Sequence, residues 1–249
     1  MIHAELSGGP AVAPVAPLLR LDNVHTYLGE SHILQGVSLD VPAGETTVLL
    51  GRNGAGKSTT LRTIMGILPA RQGSIQLDGA ELRGQPSHAV ARRGIGFVPE
   101  DREVFVSLTV EENLTLAQRR GASGGPEAIK HAYTLFPDLG TARGRSAGAM
   151  SGGQQQMLAI ARALVNDNRV LLVDEPTKGL APIIVTQLQT IFRSLRERGE
   201  TILLVEQNLE FARAVGDRVY ILDEGRIVYG GTMDDLQREP ETLRRYIGV

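Results

Sequence analysis

The chain has 249 residues, a formal net charge of −2 and no cysteine. The absence of cysteine excludes disulfides and thiolate metal sites, and the slightly negative charge does not favour general nucleic-acid binding. Hydrophobic residues account for 42% of the sequence and aromatic residues for 4%, so the chain can bury a sizeable core but has few side chains on which bases could stack. No apolar run reaches about 18 residues, so no membrane-spanning helix is expected.

The first part of the chain is predicted to form mainly strands. Residues 1–17 are rich in Ala, Pro and Gly, and we interpret them as a loose cytosolic leader rather than a signal peptide. Alternating polarity over residues 18–28 and 33–41 predicts two strands of an N-terminal antiparallel β region. The apolar run at residues 46–50 predicts a buried strand, and a helix is expected to follow its Gly-rich turn to about residue 68. Two more short strands are predicted over residues 74–77 and 95–98.

Helices predominate from about residue 101 to 165. Thr109 and Glu112 form a capping-box pattern at the start of a helix over TVEENLTLAQRR, and Gly124-Gly125-Pro126 is expected to begin another. The later elements are buried strands over 170–173 and 201–205, a helix from Pro182 to about 198, a helix capped by Asn208 that ends near Gly216, and a hairpin of 219–222 with 227–229.

The segment from Gly51 to Ser58, GRNGAGKS, matches the P-loop pattern and lies between a predicted strand and a predicted helix. Its glycines allow backbone N–H groups to surround phosphate, Lys57 can reach the β- and γ-phosphates, and the Ser58 hydroxyl can ligate Mg²⁺. The alternative is a Gly-rich turn that merely precedes a helix. Together with the alternating elements, the motif predicts an α/β P-loop NTPase core with a mixed, largely parallel sheet and an inserted helical subdomain at about 101–165.

A second candidate site lies at the end of the buried strand in VLLVDEP. Asp174 is placed where ligands gather in open α/β sheets, and it can hold Mg²⁺ directly or through water. Glu175 can polarise an attacking water. An apolar strand that ends in two acids is common without any function, so this pattern gains its meaning from the P-loop before it.

The segment MSGGQQQMLAIARAL begins with a helix start signal. Ser151 suits an N-cap and Gln154 completes a capping box, with apolar residues recurring on one helix face afterwards. Gly152 and Gly153 weaken the helix but expose backbone N–H groups, which can receive an anion. A purely structural cap is the alternative.

These three motifs, in this order and spacing, resemble the nucleotide-binding domain of an ABC transporter, from about Leu18 to Gly231. The resemblance implies one ATPase domain over 18–249 with ATP and Mg²⁺ as cofactors. It also implies a head-to-tail pair, in which each Ser-Gly-Gly-Gln segment approaches the γ-phosphate held by the partner's P-loop. The residues it assigns to nucleotide binding are Gly51, Arg52, Asn53, Gly54, Ala55, Gly56, Lys57, Ser58, Thr59, Ser151, Gly152, Gly153 and Gln154.

The resemblance also implies a role for each of three further residues. Tyr27 lies where the family stacks an aromatic ring on adenine, although a strand tyrosine that packs on its sheet is the alternative. Glu100 stands where most relatives have the Q-loop glutamine; it could ligate the metal, but it adds a negative charge and could be a solvated loop acid. Gln207 stands where most relatives have the switch histidine, and its amide can donate to the γ-phosphate but cannot titrate.

The stretches around Glu100, GLAP at 179–182 and LLVEQN at 203–208 resemble the LivF-like ATPases of branched-chain amino acid importers, with urea and short-amide importers as close cousins. The implied partners are a second ATPase subunit, favoured as a related but distinct chain, and membrane permeases. The implied location is the cytoplasmic face of the inner membrane, with no nucleic acid bound and no direct contact with the transported solute. The alternatives from other classes are a soluble ABC ATPase in DNA repair or translation and a small-molecule kinase.

The five histidines show no metal spacing or pairing, so we interpret them as incidental.

Overall fold

The structure, a computed structural model, describes residues 16–119 and 125–248, which form two sheets and the helices around them. The predicted leader, residues 1–17, lies almost entirely outside the described residues. The strands are β1 (Leu19–Leu28), β2 (Ser31–Val41), β3 (Thr46–Leu50), β4 (Ala70–Leu77), β5 (Ala80–Glu81), β6 (Ile95–Val98), β7 (Val170–Asp174), β8 (Ile202–Glu206), β9 (Arg218–Asp223) and β10 (Arg226–Thr232).

The helices pack on both sheets and none of those in residues 16–119 and 125–248 has the length and apolar character needed to span a bilayer. They are α1 (Lys57–Ile64), α2 (Ser87–Arg92), α3 (Val110–Ala117), α4 (Gly125–Leu135), α5 (Pro137–Thr141), α6 (Gly152–Leu164), α7 (Pro182–Glu197), α8 (Leu209–Val215), α9 (Met233–Gln237) and α10 (Pro240–Tyr246), with a short 3₁₀ helix at Ala147–Ala149.

The larger sheet has the strand order β10-β9-β3-β8-β7-β6, and it is parallel except for the β9–β10 hairpin. Every residue of β3, β7 and β8 is buried, as expected for central parallel strands covered by helices on both faces. Because parallel strands share a direction, the carboxyl ends of β6, β7, β3 and β8 meet at one edge of the sheet. The loops that leave this edge carry the P-loop and the predicted acidic residues.

The smaller sheet is antiparallel, with the order β2-β1-β4-β5. The helical block α3 to α6 is attached to the larger sheet through α6 and β6. Thr109 and Glu112 form the predicted capping box at the start of α3, and Asn208 caps α8 as expected. The α/β core, the antiparallel region and the helical block therefore agree with the predicted fold class.

Several predicted bounds differ from the structure for local reasons. Helix α1 ends at Ile64 rather than near 68, because Gly66 adopts a left-handed conformation with φ of 66°. Strand β4 begins at Ala70 rather than 74, because its polar first residues still pair with β1. Helix α3 ends at Ala117, since the backbone of Gln118 is extended. The short elements β5 and α2 were not predicted.

Candidate functional site

The loop from Gly51 to Gly56 joins the buried end of β3 to α1. A Cβ at Gly51 would lie 2.4 Å from the Leu222 carbonyl oxygen, so only glycine allows the loop to start so close to β9. Gly56 adopts a φ of 109°, which turns the chain into α1. The remaining predicted phosphate-binding positions, Arg52, Asn53, Gly54, Ala55 and Thr59, lie in this loop and in the first turn of α1.

The Lys57 side chain lies in the centre of this loop and is 4% exposed. Its Nζ donates to the carbonyl oxygens of Gly51, at 3.0 Å, and Arg52, at 3.2 Å. It also forms an ion pair with Glu175 Oε1, at 3.0 Å, in which the acid is 7% exposed. The P-loop cation and the acid at the end of β7 are therefore direct partners.

Ser58 and Asp174 are brought together as metal ligation would require. The Ser58 hydroxyl donates to Asp174 Oδ1 at 3.0 Å, whereas the buried Oδ2 has no hydrogen-bond partner within the described residues. Burial raises the pKa of Asp174 to about 6, although the Ser58 hydrogen bond lowers it, and the charges of Glu100 and Glu175 raise it further. An unpartnered carboxylate oxygen beside a hydroxyl fits the hard oxygen ligands that Mg²⁺ prefers.

Glu175 begins the turn that follows β7. It adopts a left-handed conformation with φ of 44°, which is uncommon for a residue other than glycine. Its backbone N–H donates to the Val205 carbonyl of β8 at 2.9 Å, and its carbonyl accepts from the Lys178 N–H at 3.1 Å. The turn is thus fixed against the neighbouring strand, and it directs the Glu175 carboxylate to the P-loop.

Glu100, at the end of β6, forms an ion pair with Lys178. Lys178 Nζ also lies 3.9 Å from Glu175 Oε2, although its side chain is 56% exposed. The hydrogen bond to Glu100 and the charge of Glu100 raise the pKa of Lys178. Lys178 had not been predicted as a site residue, and it offsets the extra negative charge that Glu100 brings to this position.

Gln207 lies on the turn after β8, so it reaches the same sheet edge as Glu175, and its side chain is exposed. The residue before it, Glu206, is buried at 2% exposure and was missed by the sequence analysis. Burial raises the pKa of Glu206, and hydrogen bonds from Asn208, Thr177 and Gln207 oppose that rise. An acid at the end of an otherwise apolar strand was the only signal that could have found it.

Ser151 begins α6 with the predicted capping box. Its hydroxyl accepts from the Gln154 N–H at 3.3 Å, and its own N–H donates to Gln154 Oε1 at 3.0 Å. Gly152 and Gly153 form the first turn between them, and both are partly buried. Within residues 16–119 and 125–248, no hydrogen bond or ion pair connects this segment with the P-loop, so the two motifs do not meet within one chain.

Tyr27 is stacked between two side chains from the neighbouring strands. Its ring lies parallel to that of His32, with 4.1 Å between centroids, and Arg71 Cζ lies 4.4 Å from its centroid. The interpretation of the histidines as unpaired was wrong for two of them, since His25 Nδ1 and His32 Nε2 are 3.0 Å apart. They are neighbours because β1 and β2 form a tight hairpin, in which Tyr27 faces His32. Of the other histidines, His3 lies outside the described residues.

A glycine-rich loop between a buried parallel strand and a helix, with a lysine, a serine and two strand-end acids together, defines a P-loop nucleotide hydrolase. The sequence model described as ABC transporter matches residues 34–178, and the chain belongs to this family. It is an ATPase of the ABC transporter type.

Two relatives match almost the full chain. The "High-affinity branched-chain amino acid transport ATP-binding protein BraG" of Pseudomonas aeruginosa is 46% identical over 239 residues, which cover 93% of this chain and 100% of the relative. The "Probable branched-chain amino acid transport ATP-binding protein LivF" of Archaeoglobus fulgidus is 36% identical over 234 residues, which cover 93% of this chain and 99% of the relative. The structure of the ADP conformation of an ABC transporter cassette superposes on this chain with a TM-score of 0.79 at 27% identity. The match covers 93% of this chain and 99% of the cassette.

Proposed function

We propose that the chain is the ATP-hydrolysing subunit of an importer for branched-chain or other hydrophobic amino acids. The observation that carries the proposal is the pairing of Lys57 with Glu175 beside the Ser58–Asp174 pair, at the sheet edge that receives the P-loop. The amino acid cargo is supported by the names of the two relatives and by the resemblance of LLVEQN to LivF-like ATPases. Urea or short amides are the alternative cargo.

Each residue of the site has a distinct chemical task in this proposal. Lys57 exchanges its contact with Glu175 for contacts with the β- and γ-phosphates. Glu175 then accepts a hydrogen bond from the attacking water and orients it. Ser58 and Asp174 would hold Mg²⁺, which would neutralise charge on the phosphate oxygens. Gln207 donates to the γ-phosphate, and Glu100 has a charge already offset by Lys178.

Two further parts of the proposal concern Tyr27 and the location of the chain. Tyr27 stacks on adenine, and because His32 and Arg71 already contact its ring, the base displaces one of them, with the flexible Arg71 the easier to move. The chain works at the cytoplasmic face of the inner membrane, bound to permease subunits. A related but distinct ATPase chain completes the pair.

The cargo proposal is tested by reconstituting the chain with its permeases and second ATPase subunit in vesicles. ATP hydrolysis is measured with a binding protein loaded with leucine, urea or a short amide. Stimulation by the leucine-loaded protein supports the proposal, whereas stimulation by the urea-loaded protein alone would assign the alternative cargo. No stimulation by any of them would contradict the assignment to this group of importers.

The signature segment is proposed to act on the partner's nucleotide, because it does not meet the P-loop of its own chain. The test mixes a Lys57→Ala chain with a Ser151→Arg chain, each inactive alone. A mixed pair contains one site with an intact P-loop and an intact signature, so partial ATPase activity is expected to return. If mixed pairs form, as a tag on each chain would show, and activity stays absent, sharing of the sites is contradicted.

Replacing Gln207 with alanine is expected to lower turnover by about ten- to a thousandfold, because the γ-phosphate loses a hydrogen-bond donor. Gln207→His should retain much of the rate and acquire a pH dependence near 6.5, since imidazole titrates there and the amide does not. The measurement is the pH–rate profile of both variants and the wild type at saturating Mg-ATP. An unaffected Gln207→Ala enzyme would reduce this glutamine to a polar surface residue.

Replacing Lys178 with alanine is expected to raise the KM for Mg-ATP about two- to fivefold, the range typical of an exposed ion pair. The reason is that the Glu100 charge then faces the phosphates without its cation. Lys178→Arg keeps the charge and should behave as the wild type. The double variant Lys178→Ala/Glu100→Gln should recover the lower KM, and the effect should shrink at high salt. A double variant no better than Lys178→Ala would contradict charge compensation.

A further inference from the structure

We propose that Glu206 is a positioning residue, whose carboxylate fixes the turn that carries Glu175 relative to the turn that carries Gln207. The inference rests on the proposed roles of those two residues in ATP hydrolysis. Glu206 ends β8, the strand next to β7, and is 2% exposed. Its two oxygens accept four hydrogen bonds, two from each turn.

One oxygen holds the turn after β7. Glu206 Oε1 accepts from the Thr177 hydroxyl at 2.7 Å and from the Thr177 N–H at 3.2 Å. Thr177 lies two residues after Glu175, whose left-handed backbone is of the kind that persists only when its surroundings fix it. The bonds to Glu206, together with the Glu175 N–H bond to Val205, attach both ends of this short turn to β8.

The other oxygen holds the turn after β8. Glu206 Oε2 accepts from the N–H groups of Gln207 and Asn208, each at 2.9 Å. Asn208 in turn caps α8 by accepting from the Phe211 N–H at 3.0 Å. The backbone at Gln207 is therefore held by Glu206 on one side and by the start of α8 on the other. A single carboxylate therefore connects the turn that carries Glu175 with the turn that carries Gln207.

The four donors match the acceptor sites of a carboxylate. An ionised carboxylate offers about four lone-pair sites, and all four are used here. Within residues 16–119 and 125–248, no lysine or arginine forms an ion pair with Glu206. Neutral N–H and O–H groups contact its oxygens instead, so the Glu206 side chain and the two turns hold each other in place.

The experiment compares Glu206→Gln with the wild type in the full chain. Glutamine has the same shape, but one of its two polar ends is an NH₂ group, which cannot accept from the donors of one turn. We expect kcat to fall about ten- to a hundredfold, as misplacement by about 1 Å does in other sites. The KM for Mg-ATP should stay within about twofold, because the contacts of Lys57 and Ser58 are unchanged.

The matched control is Glu200→Gln, which makes the same change just before the opposite end of β8. Glu200 is partly buried, and burial raises its pKa too, but it lies far along the strand from both turns. Its kcat and KM should equal those of the wild type. A fall in kcat as large as that of Glu206→Gln would assign the loss to the strand as a whole and overturn the proposal.

Thr177 provides a milder test that leaves the buried acid in place. Thr177→Ser keeps the hydroxyl donor and should retain wild-type kcat, whereas Thr177→Val removes it and should lower kcat several-fold. In the double variant Glu206→Gln/Thr177→Val the losses should be less than multiplicative, because both changes remove the same contact. If Glu206→Gln does not fold, the Ser and Val variants decide the question by themselves.

The outcomes separate this inference from the proposed function. Wild-type kcat in Glu206→Gln, or equal kcat in Thr177→Val and Thr177→Ser with unaffected folding, would overturn the positioning role. If kcat, KM and the melting temperature of Glu206→Gln all changed together, Glu206 would have only a structural role, and the positioning role would also be overturned. Glu175→Gln in the same assay tests the proposed function. If Glu175→Gln stays active while Glu206→Gln is slow, the proposed role of Glu175 is contradicted, whereas the effect of Glu206 on turnover is not.

Discussion

Glu175→Gln is expected to lower ATP turnover by about 10²- to 10⁴-fold, the contribution typical of a general base, while ATP binding persists. Glutamine can still accept a hydrogen bond from Lys57 but cannot take a proton from water. Lys57 is bound less strongly by a neutral amide than by a carboxylate, so it is more available to the phosphates. The ATP-bound pair of subunits should therefore accumulate, which size-exclusion chromatography with ATP measures together with the rate of phosphate release.

The control for this substitution is another glutamate with the same unusual backbone. Glu224, in the β9–β10 turn, is exposed and has a φ of 43°, close to the 44° of Glu175. Glu224→Gln should leave turnover unchanged, which would separate the lost carboxylate from any strain of glutamine in a left-handed conformation. Near wild-type hydrolysis by Glu175→Gln would remove this acid from the catalytic role.

The sequence predicted the parts of the site that depend on short segments. The P-loop requires Gly51 and Gly56 at fixed positions beside a buried strand, and an apolar run identifies that strand. The capping box of Ser151 and Gln154 is also local, since its two hydrogen bonds join residues three apart. In both cases the sequence pattern lies within about ten residues, although the close approach that requires glycine at position 51 involves the distant Leu222 carbonyl.

The contacts that join distant segments could not be predicted in this way. Lys178 meets Glu100 across 78 positions, and Glu206 meets Thr177 across 29 positions, only because β6, β7 and β8 are neighbours in the sheet. The pattern of apolar strands indicates a sheet but not its strand order. A charged residue after such a strand is therefore visible in the sequence, whereas its partner is not.

The pairing of His25 with His32 shows a different reason for failure. The alternating pattern of residues 33–41 predicts that the second strand begins at residue 33. In the structure β1 and β2 are joined by Gly29 and Glu30 alone, and β2 therefore begins at Ser31. Pairing with β1 extended the strand by two residues and placed His32 beside Tyr27.

Lys57→Ala is expected to weaken ATP binding by at least about tenfold and to lower turnover by a further factor of about a hundred or more, since the lysine contacts phosphate both before and during the reaction. The variant should also be less stable. Removing one partner of a buried ion pair typically costs about 3–5 kcal/mol, because the remaining charge is buried without compensation. Binding of a fluorescent ATP analogue and thermal unfolding without nucleotide measure the two effects.

The double variant Lys57→Ala/Glu175→Gln distinguishes the two consequences of losing this lysine. Neutralising Glu175 removes the uncompensated charge, so the double variant should melt at a higher temperature than Lys57→Ala alone. Recovery should be partial, because the carbonyl oxygens of Gly51 and Arg52 still lack the donor that Lys57 supplies. ATP binding should remain weak in both variants, since neither restores a cation at the phosphates. Equal melting temperatures would contradict the buried pair, and unchanged ATP affinity in Lys57→Ala would contradict the phosphate-binding role of the loop.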